Sequence, residues 1–320
     1  MDNLRRPASG IDYPATFREF DDWFSNEAAC LDYIRRLRWP DGFTCPHCGF
    51  HSESPSFMTR GLVLCLKCKK QTSITAGTLF HRTHTPLRTW FLALWFVTSQ
   101  KHGASALGLQ RVLGLGSYNT AWNWLHKLRR AMIRPDRERL TGIVEVDETY
   151  VGGVGKNIRG RGAERKSIVV IAAEVRGRST GRIRMAVVTD VSSASLHGFI
   201  LNSVEKGSEV HSDGWSGYNG IGCLGYSHIV KNISVSGEPA HVVMPRVHRV
   251  AALLSRWWLG IHQGAIHPKH LDYYLDEFTF RFNRRTAKAR GLLFYRLMEQ
   301  SIHNKPVPRH KVIGGQNNIR

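Results

Sequence analysis

Ile143-Val144-Glu145-Val146-Asp147-Glu148-Thr149-Tyr150-Val151-Gly152-Gly153 is the stretch on which the fold turns. In an extended segment Ile143, Glu145 and Asp147 share one face, and Val144, Val146 and Glu148 share the other. A β-branched run of this kind reads as a strand, ended by the two glycines. Carboxylates emerging from an apolar strand have two readings. Buried without a partner they are costly, so they mark a place where something pairs with them. On a surface strand they are merely solvated.

Downstream, Lys156 to Lys166 is Gly- and Arg-rich. It reads either as a cationic loop that tracks a phosphate backbone, through Lys156, Arg159 and Arg161, or as a plain hairpin tip. Ser167 to Val175 and Arg182 to Thr189 are strand-like and separated by Gly177 and Gly181, so three strands form a meander. Ser195 to Val204 is helical. A short strand then ends in Asp213, followed at once by Gly214, which presents an acid at the rim of a sheet. Val247, Val250, Ala251 and Leu254 give a helix over Val247 to Leu259, with His248 one residue off its stripe. Leu271, Tyr274, Leu275, Phe278 and Phe282 give another over His270 to Phe282. Beyond Ile302 the chain turns Lys-, Pro-, Asn- and Gly-rich and reads as a disordered tail.

Upstream, Phe17, Phe20, Trp23 and Phe24 at helical spacing mark a short helix. Cys45-Pro-His-Cys48 and Cys65-Leu-Lys-Cys68, with sixteen residues between Cys48 and Cys65, have the spacing of a structural zinc site. Four thiolates complete a closed tetrahedron. Disulfides compete with this reading, but Met1 to Phe24 lacks the apolar segment of a secretory signal, which points to a reducing cytoplasm. Cys30 and Cys223 are left over as free thiols. From Pro86 to Arg134 the pattern is helical, with Ala104 to Leu113 as one helix, Gly114 and Gly116 at the turn, and Ser117 capping a second. In that second helix Ala121, Leu125, Leu128 and Met132 form the apolar stripe, while Asn119, Asn123, Lys127, Arg130 and Arg134 collect opposite. This is equally a helix-turn-helix reading helix and an amphipathic helix with a solvated basic face.

Composition bounds the partner. With 45 Lys+Arg against 25 Asp+Glu, a net charge of +20 favours a polyanion, either nucleic acid or an anionic membrane surface. The most apolar run, Trp90 to Val97, is far short of the ~20 residues needed to span a bilayer, which leaves nucleic acid. At 320 residues and 42% hydrophobic, the chain is long enough for two domains and a small third module.

Together these motifs resemble bacterial insertion-sequence transposases with an N-terminal zinc ribbon and a DDE-type catalytic domain. The resemblance rests on the four cysteines with the following Gln71 to Phe80, on Val146 to Gly153, on His211-Ser-Asp213-Gly214, and on Val247-His248-Arg249-Val250. Trp257, Gly260, His262-Gln-Gly264 and Tyr274 to Arg285 complete it, so that it runs from about residue 15 to 300. It implies a mixed α+β and α/β architecture, with segments at 1–40 (helical), 41–80 (zinc ribbon), 81–135 (helical, helix-turn-helix-like), 140–300 (ribonuclease H-like mixed sheet) and 303–320 (tail). It implies Asp147, Asp213 and His248 as the catalytic set, with His248 falling 35 residues after Asp213 where family members often carry Asn or His.

Two Mg2+ or Mn2+ ions would be held there, Asp147 bridging both, Asp213 on one and His248 on the other, besides structural Zn2+ on Cys45, Cys48, Cys65 and Cys68. Imidazole suits softer ions than magnesium, so activity should favour manganese and fall below about pH 6.5. The partners implied are double-stranded DNA, as terminal inverted repeats and as target, and further copies of the chain on that DNA. The compartment implied is the cytoplasm, at the nucleoid. Seven residues after His248, related sequences often carry Lys; here Ser255 stands there with Arg256 beside it, and Arg256 joins the DNA contacts. That departure keeps open a catalytically inactive, DNA-binding descendant, and a nuclease of the same fold is the third reading. Glu148, on the opposite face to Asp147, is expected to be structural. Asp276 and Glu277 are rival acids expected to pair with nearby Arg.

Overall fold

Two units divide the chain in the computed structural model, which describes residues 6–134, 136–152, 166–232, 235, 237–263 and 267–314. In the first, Thr16 caps α1 (Phe17–Trp23) by accepting from Glu19 N, and Glu19 Oε2 reaches back to Ala15 N at 2.8 Å, a close variant of the capping box. Asn26 caps α2 (Glu27–Arg38). A small antiparallel pair follows, β1 (Phe43–Thr44) with β2 (His51–Ser52), then a three-stranded antiparallel sheet of β3 (Ser56–Met58), β4 (Leu62–Leu64) and β5 (Gln71–Ser73). Next come α3 (Leu87–Ser99), α4 (Ala106–Leu113) and α5 (Tyr118–Ala131). Gly114 adopts φ 62° at the end of α4, and Ser117 caps α5, as the sequence predicts.

The second unit is built on β6 (Ile143–Val151), β7 (Ser167–Arg176) and β8 (Ser179–Val188), followed by α6 (Ser193–Ser203), β9 (Glu209–Ser212), β10 (Ser227–Val230), α7 (Ala240–Val243), α8 (Pro245–His262) and α9 (Leu271–Asn283). The sheet order is β10-β9-β6-β7-β8; β6, β7 and β8 are antiparallel, while β9 and β10 run parallel to β6. Three meandering strands, then two parallel ones added beside the first, make the ribonuclease H-like topology. Strand alternation sends Val144, Val146, Val170 and Ala172 to a core shared with Leu196 and Ile200 of α6. The opposite face sends Ile171, Ile183 and Met185 to a core with Val247, Val250 and Leu254 of α8 and Leu275 and Phe278 of α9.

The edge of the sheet at β8 is closed by a side chain. Ile183 N donates to Asn283 Oδ1 at 2.7 Å and Asn283 Nδ2 donates to Ile183 O at 3.1 Å, so the amide completes a backbone ladder that would otherwise be open. Arg285 donates to the carbonyls of Thr180 and Gly181 beside it.

The C-terminal segment differs from expectation. The main segment of the second unit ends at Thr286, not near residue 300, and α10 (Arg290–His303) with α11 (Arg309–Gly314) up to Ile313 folds with the first unit. The reason is aromatic packing. Phe294 of α10 lies 5.4 Å from Phe20 and 5.7 Å from Phe24, ring centre to ring centre, in a cluster with Phe91 and Trp95. Gly291 lets the backbones meet there, since a Cβ on it would lie 1.7 Å from the Pro14 carbonyl oxygen. The expected tail likewise contains a described helix, anchored by the fully buried Val312.

Candidate functional site

The four cysteines form two matching knuckles. In the first, Gly49 N donates to Cys45 O and Cys45 N to Phe50 O, both at 2.9 Å. In the second, Lys69 N donates to Cys65 O at 2.9 Å and Cys65 N to Lys70 O at 3.0 Å. Each knuckle turns through a left-handed residue, Gly49 (φ 70°) or Lys69 (φ 60°). All four Sγ atoms lie within 4.8 Å of one another, and none of the six cysteines is disulfide-bonded. The Cys68 N–H directed at Sγ of Cys65 lowers the pKa of that thiol, while Cys48 in the same cluster is shifted up. A set of four thiolates at this separation suits Zn2+.

In the second unit, Glu145 and His211 are register partners on the parallel strands β6 and β9. Asp147, midway along β6, and Asp213, one residue past the end of β9, each stand two residues beyond that pair, so alternation puts both on its face of the sheet, just past the last β6–β9 pairing. Glu148 N donates to Asp147 Oδ1 at 2.9 Å, and Trp215 N donates to Asp213 Oδ1 at 3.0 Å. From α8, His248 brings Nε2 to 3.6 Å from Asp147 Oδ2. That nitrogen is buried and makes no hydrogen bond. Burial holds the His248 imidazole below its ordinary pKa, the His241 cation adds to this, and the Asp213 carboxylate opposes it. The ring is therefore biased toward the neutral form that can act as a ligand.

Glu145 is the residue the sequence reading passed over. It is buried on the same face as Asp147, and its Oε2 accepts from Arg246 N at 2.7 Å and Val247 N at 3.0 Å. It thus holds the first turn of α8 and sets where His248 lies relative to Asp147. Burial pushes its carboxyl pKa up, and the two N–H groups pull it back. The alternation of β6 contained the signal, because it already put Glu145 and Asp147 on one face; its partners are a hundred residues away. Glu148 points the other way, accepting from Tyr218 Oη at 3.1 Å beside the α6 core. Glu277 is buried and pairs with Arg281 at 2.7 Å, and Asp276 is buried on α9.

The expected DNA contacts fare differently. Asn119 is exposed, but Asn123, Lys127 and Arg130 are half-buried, and burial holds the Lys127 ammonium below its ordinary pKa. Periodicity shows an amphipathic helix without showing how far its second face is covered. Lys156, Arg159 and Arg161 lie outside the described residues. Arg256 is exposed on α8, with Ser255.

Residues 25–71 match the transposase zinc-ribbon domain and residues 139–283 the ISXO2-like transposase domain. The chain combines a transposase zinc ribbon with an ISXO2-like transposase domain. The transposase ribbon so defined takes in α2 and both knuckles, and the transposase domain takes in Asp147, Asp213 and His248. The chain is also 27% identical over 280 residues to an uncharacterized protein in transposable element ISH50 of Halobacterium salinarum, with 81% of this chain and 91% of that one covered. Among solved structures, the catalytic core domain of BIV integrase aligns over 47% of this chain and 87% of its own, at 15% identity and a TM-score of 0.29. The ribonuclease H-like assignment therefore stands on the strand order above. No helix among the described residues is long and apolar enough to cross a membrane.

Proposed function

We propose that this transposase cuts the ends of an insertion sequence and joins the freed 3′-hydroxyls to target DNA, with Asp147, Asp213 and His248 as its catalytic set. What carries the reading is one juxtaposition: Asp147 on β6 and Asp213 just past the adjacent parallel β9, on one face, with a buried His248 nitrogen that makes no hydrogen bond 3.6 Å from Asp147. An orphaned buried acceptor beside a carboxylate is what a divalent-ion site looks like in its protein part. Asp147, Asp213 and His248 would hold such ions, whose chemistry when bound is to stabilise charge on the attacking and leaving oxygens of a phosphodiester.

The chain's own task is positioning. Asp147 is fixed by β6 between β7 and β9, Asp213 by the Trp215 N–H, and His248 by the Glu145-capped turn of α8. In the first step water attacks phosphorus and the P–O3′ bond breaks, leaving a 3′-hydroxyl and a 5′-phosphate. In the second that hydroxyl attacks a target phosphodiester and displaces its 3′-oxygen, so one bond forms for each one broken. Terminal repeats and target are both duplex DNA, and pairing two ends calls for more than one copy of the chain.

The test is cleavage and strand transfer on labelled DNA from the gene's own flanks, with manganese and with magnesium. Wild type should yield joined products, more strongly with manganese because imidazole suits the softer ion. Asp147→Ala should bind and leave the DNA intact. Cutting by Asp147→Ala would refute the site, cutting without joining by wild type would indicate a nuclease, and binding without cutting by both would indicate a regulator.

A further inference from the structure

We propose that a cationic cleft in the first unit, between α2, the Arg60 turn and the loop leading into α3, seats the sugar–phosphate backbone of duplex DNA. The inference rests on DNA as the substrate but not on the catalytic set. The cleft has a volume of about 660 Å³. Its charged and titratable lining is Arg60, His81, Arg82, His84 and a single acid, Glu27. That acid is already engaged: Glu27 Oε1 accepts from Leu87 N at 2.8 Å and Oε2 from Arg88 N at 3.3 Å, so it closes the start of α3. Arg60 and Arg82 are exposed, and among the described residues neither guanidinium has a hydrogen-bond or ion-pair partner. Two unpaired guanidiniums lining one cleft, together with the imidazoles of His81 and His84, give the charge and the planar donors that phosphate oxygens take.

The backbone that carries the two arginines is held in place by its neighbours. Arg60 sits at φ 64° and Arg82 at φ 53°. Beside Arg60, Gly61 packs so closely on Leu31 that a Cβ would fall 2.6 Å from Leu31 Cδ2, and Gly61 O accepts from Ile74 N at 2.8 Å. Beside Arg82, Thr83 N donates to Phe80 O at 3.1 Å and Thr83 Oγ1 accepts from Trp90 Nε1 at 2.9 Å. The indole of Trp90 is itself stacked on Trp124 at 3.6 Å. With the backbone under both arginines already fixed, only their side chains remain to be ordered when a phosphate arrives. Such contacts set position and affinity without reading sequence, so the cleft should grip terminal and target DNA alike.

The experiment measures binding alone, in the full chain carrying zinc and Asp147→Ala, so that it stands whether or not the catalytic reading holds. Affinity for a random duplex and for a duplex from the gene's flanks is followed by fluorescence anisotropy from about 50 to 200 mM salt. The variant is Arg60→Asn with Arg82→Asn, since Asn tolerates the left-handed backbone while removing the charge. Two lost phosphate contacts should make the slope of log K on log salt shallower by about 1.8 and weaken binding on the order of tenfold or more, equally for both duplexes. Arg60→Lys with Arg82→Lys should keep the wild-type slope, and all variants should keep the wild-type zinc content and melting temperature. Unchanged slope and affinity in the Asn pair would overturn the proposal and leave the cleft to an acidic protein partner. Equal loss in the Lys pair would also overturn it, because charge would then not be what matters.

Discussion

Glu145 shows how much a single side chain can decide in this fold. It belongs to the same strand as Asp147, yet its bonds go to the first turn of another element, so the strand that carries Asp147 also fixes where His248 lies. Glu145 is a positioning residue, and its test separates that role from mere support. In Glu145→Gln an amide oxygen still accepts from Arg246 N and Val247 N, so cleavage should stay within a few fold of wild type. In Glu145→Ala those two N–H groups lose their acceptor, which costs about 1–3 kcal/mol. The displaced His248 should lower cleavage on the order of a hundredfold while DNA affinity holds. Wild-type cleavage by the Ala variant, with the expected loss of stability, would show that the cap only supports the helix.

The ribbon makes the corresponding case at the level of elements. Its strands are two or three residues long and its buried core is thin, so closure depends on the four thiolates. Chelation of the metal should therefore unfold β1 to β5, and thiol titration reads this directly. In the native protein the exposed Cys223 should react and Cys30 should not, because it is fully buried and burial pushes its thiol up to about 12. After chelation the titre should rise by the four ribbon thiols. A native titre that already includes them would show that no metal is held.

These elements also mark what the sequence could tell. Cys45, Cys48, Cys65 and Cys68 were legible because the turn of each knuckle is local and fixes the spacing. The strand ending at Asp213 was legible because alternation and a following glycine are local as well. Hidden were the enclosure of Lys127 and Arg130 and the return of α10 to the first unit, since a helix pattern shows an apolar face and not which core it joins. The Arg60 and Arg82 cleft was hidden for the same reason: it gathers α2, a ribbon turn and a loop that no local pattern connects.

For the molecule as a whole, +20 of charge makes binding to any polyanion sensitive to salt, while the second unit carries its own sensitivity to acid. His270 stands just ahead of α9, 7% exposed, and burial holds its pKa down at about 4, with Lys269 and His267 pushing the same way. The unfolded chain protonates this ring near its ordinary 6.5, so between about 6.5 and 4 the unfolded state binds the extra proton. Stability from the neutral ring is thus complete above about 6.5 and is lost as pH falls through that window, by up to a few kcal/mol. His228 and His248, also shifted down by burial, add a slope of the same sign, so the informative quantity is a difference. Melting temperature followed from pH 7 to about 4.5 should fall less steeply in His270→Gln than in wild type. Parallel curves would mean that the folded protein protonates His270 as readily as the unfolded chain does, and the acid sensitivity would then belong to the other histidines.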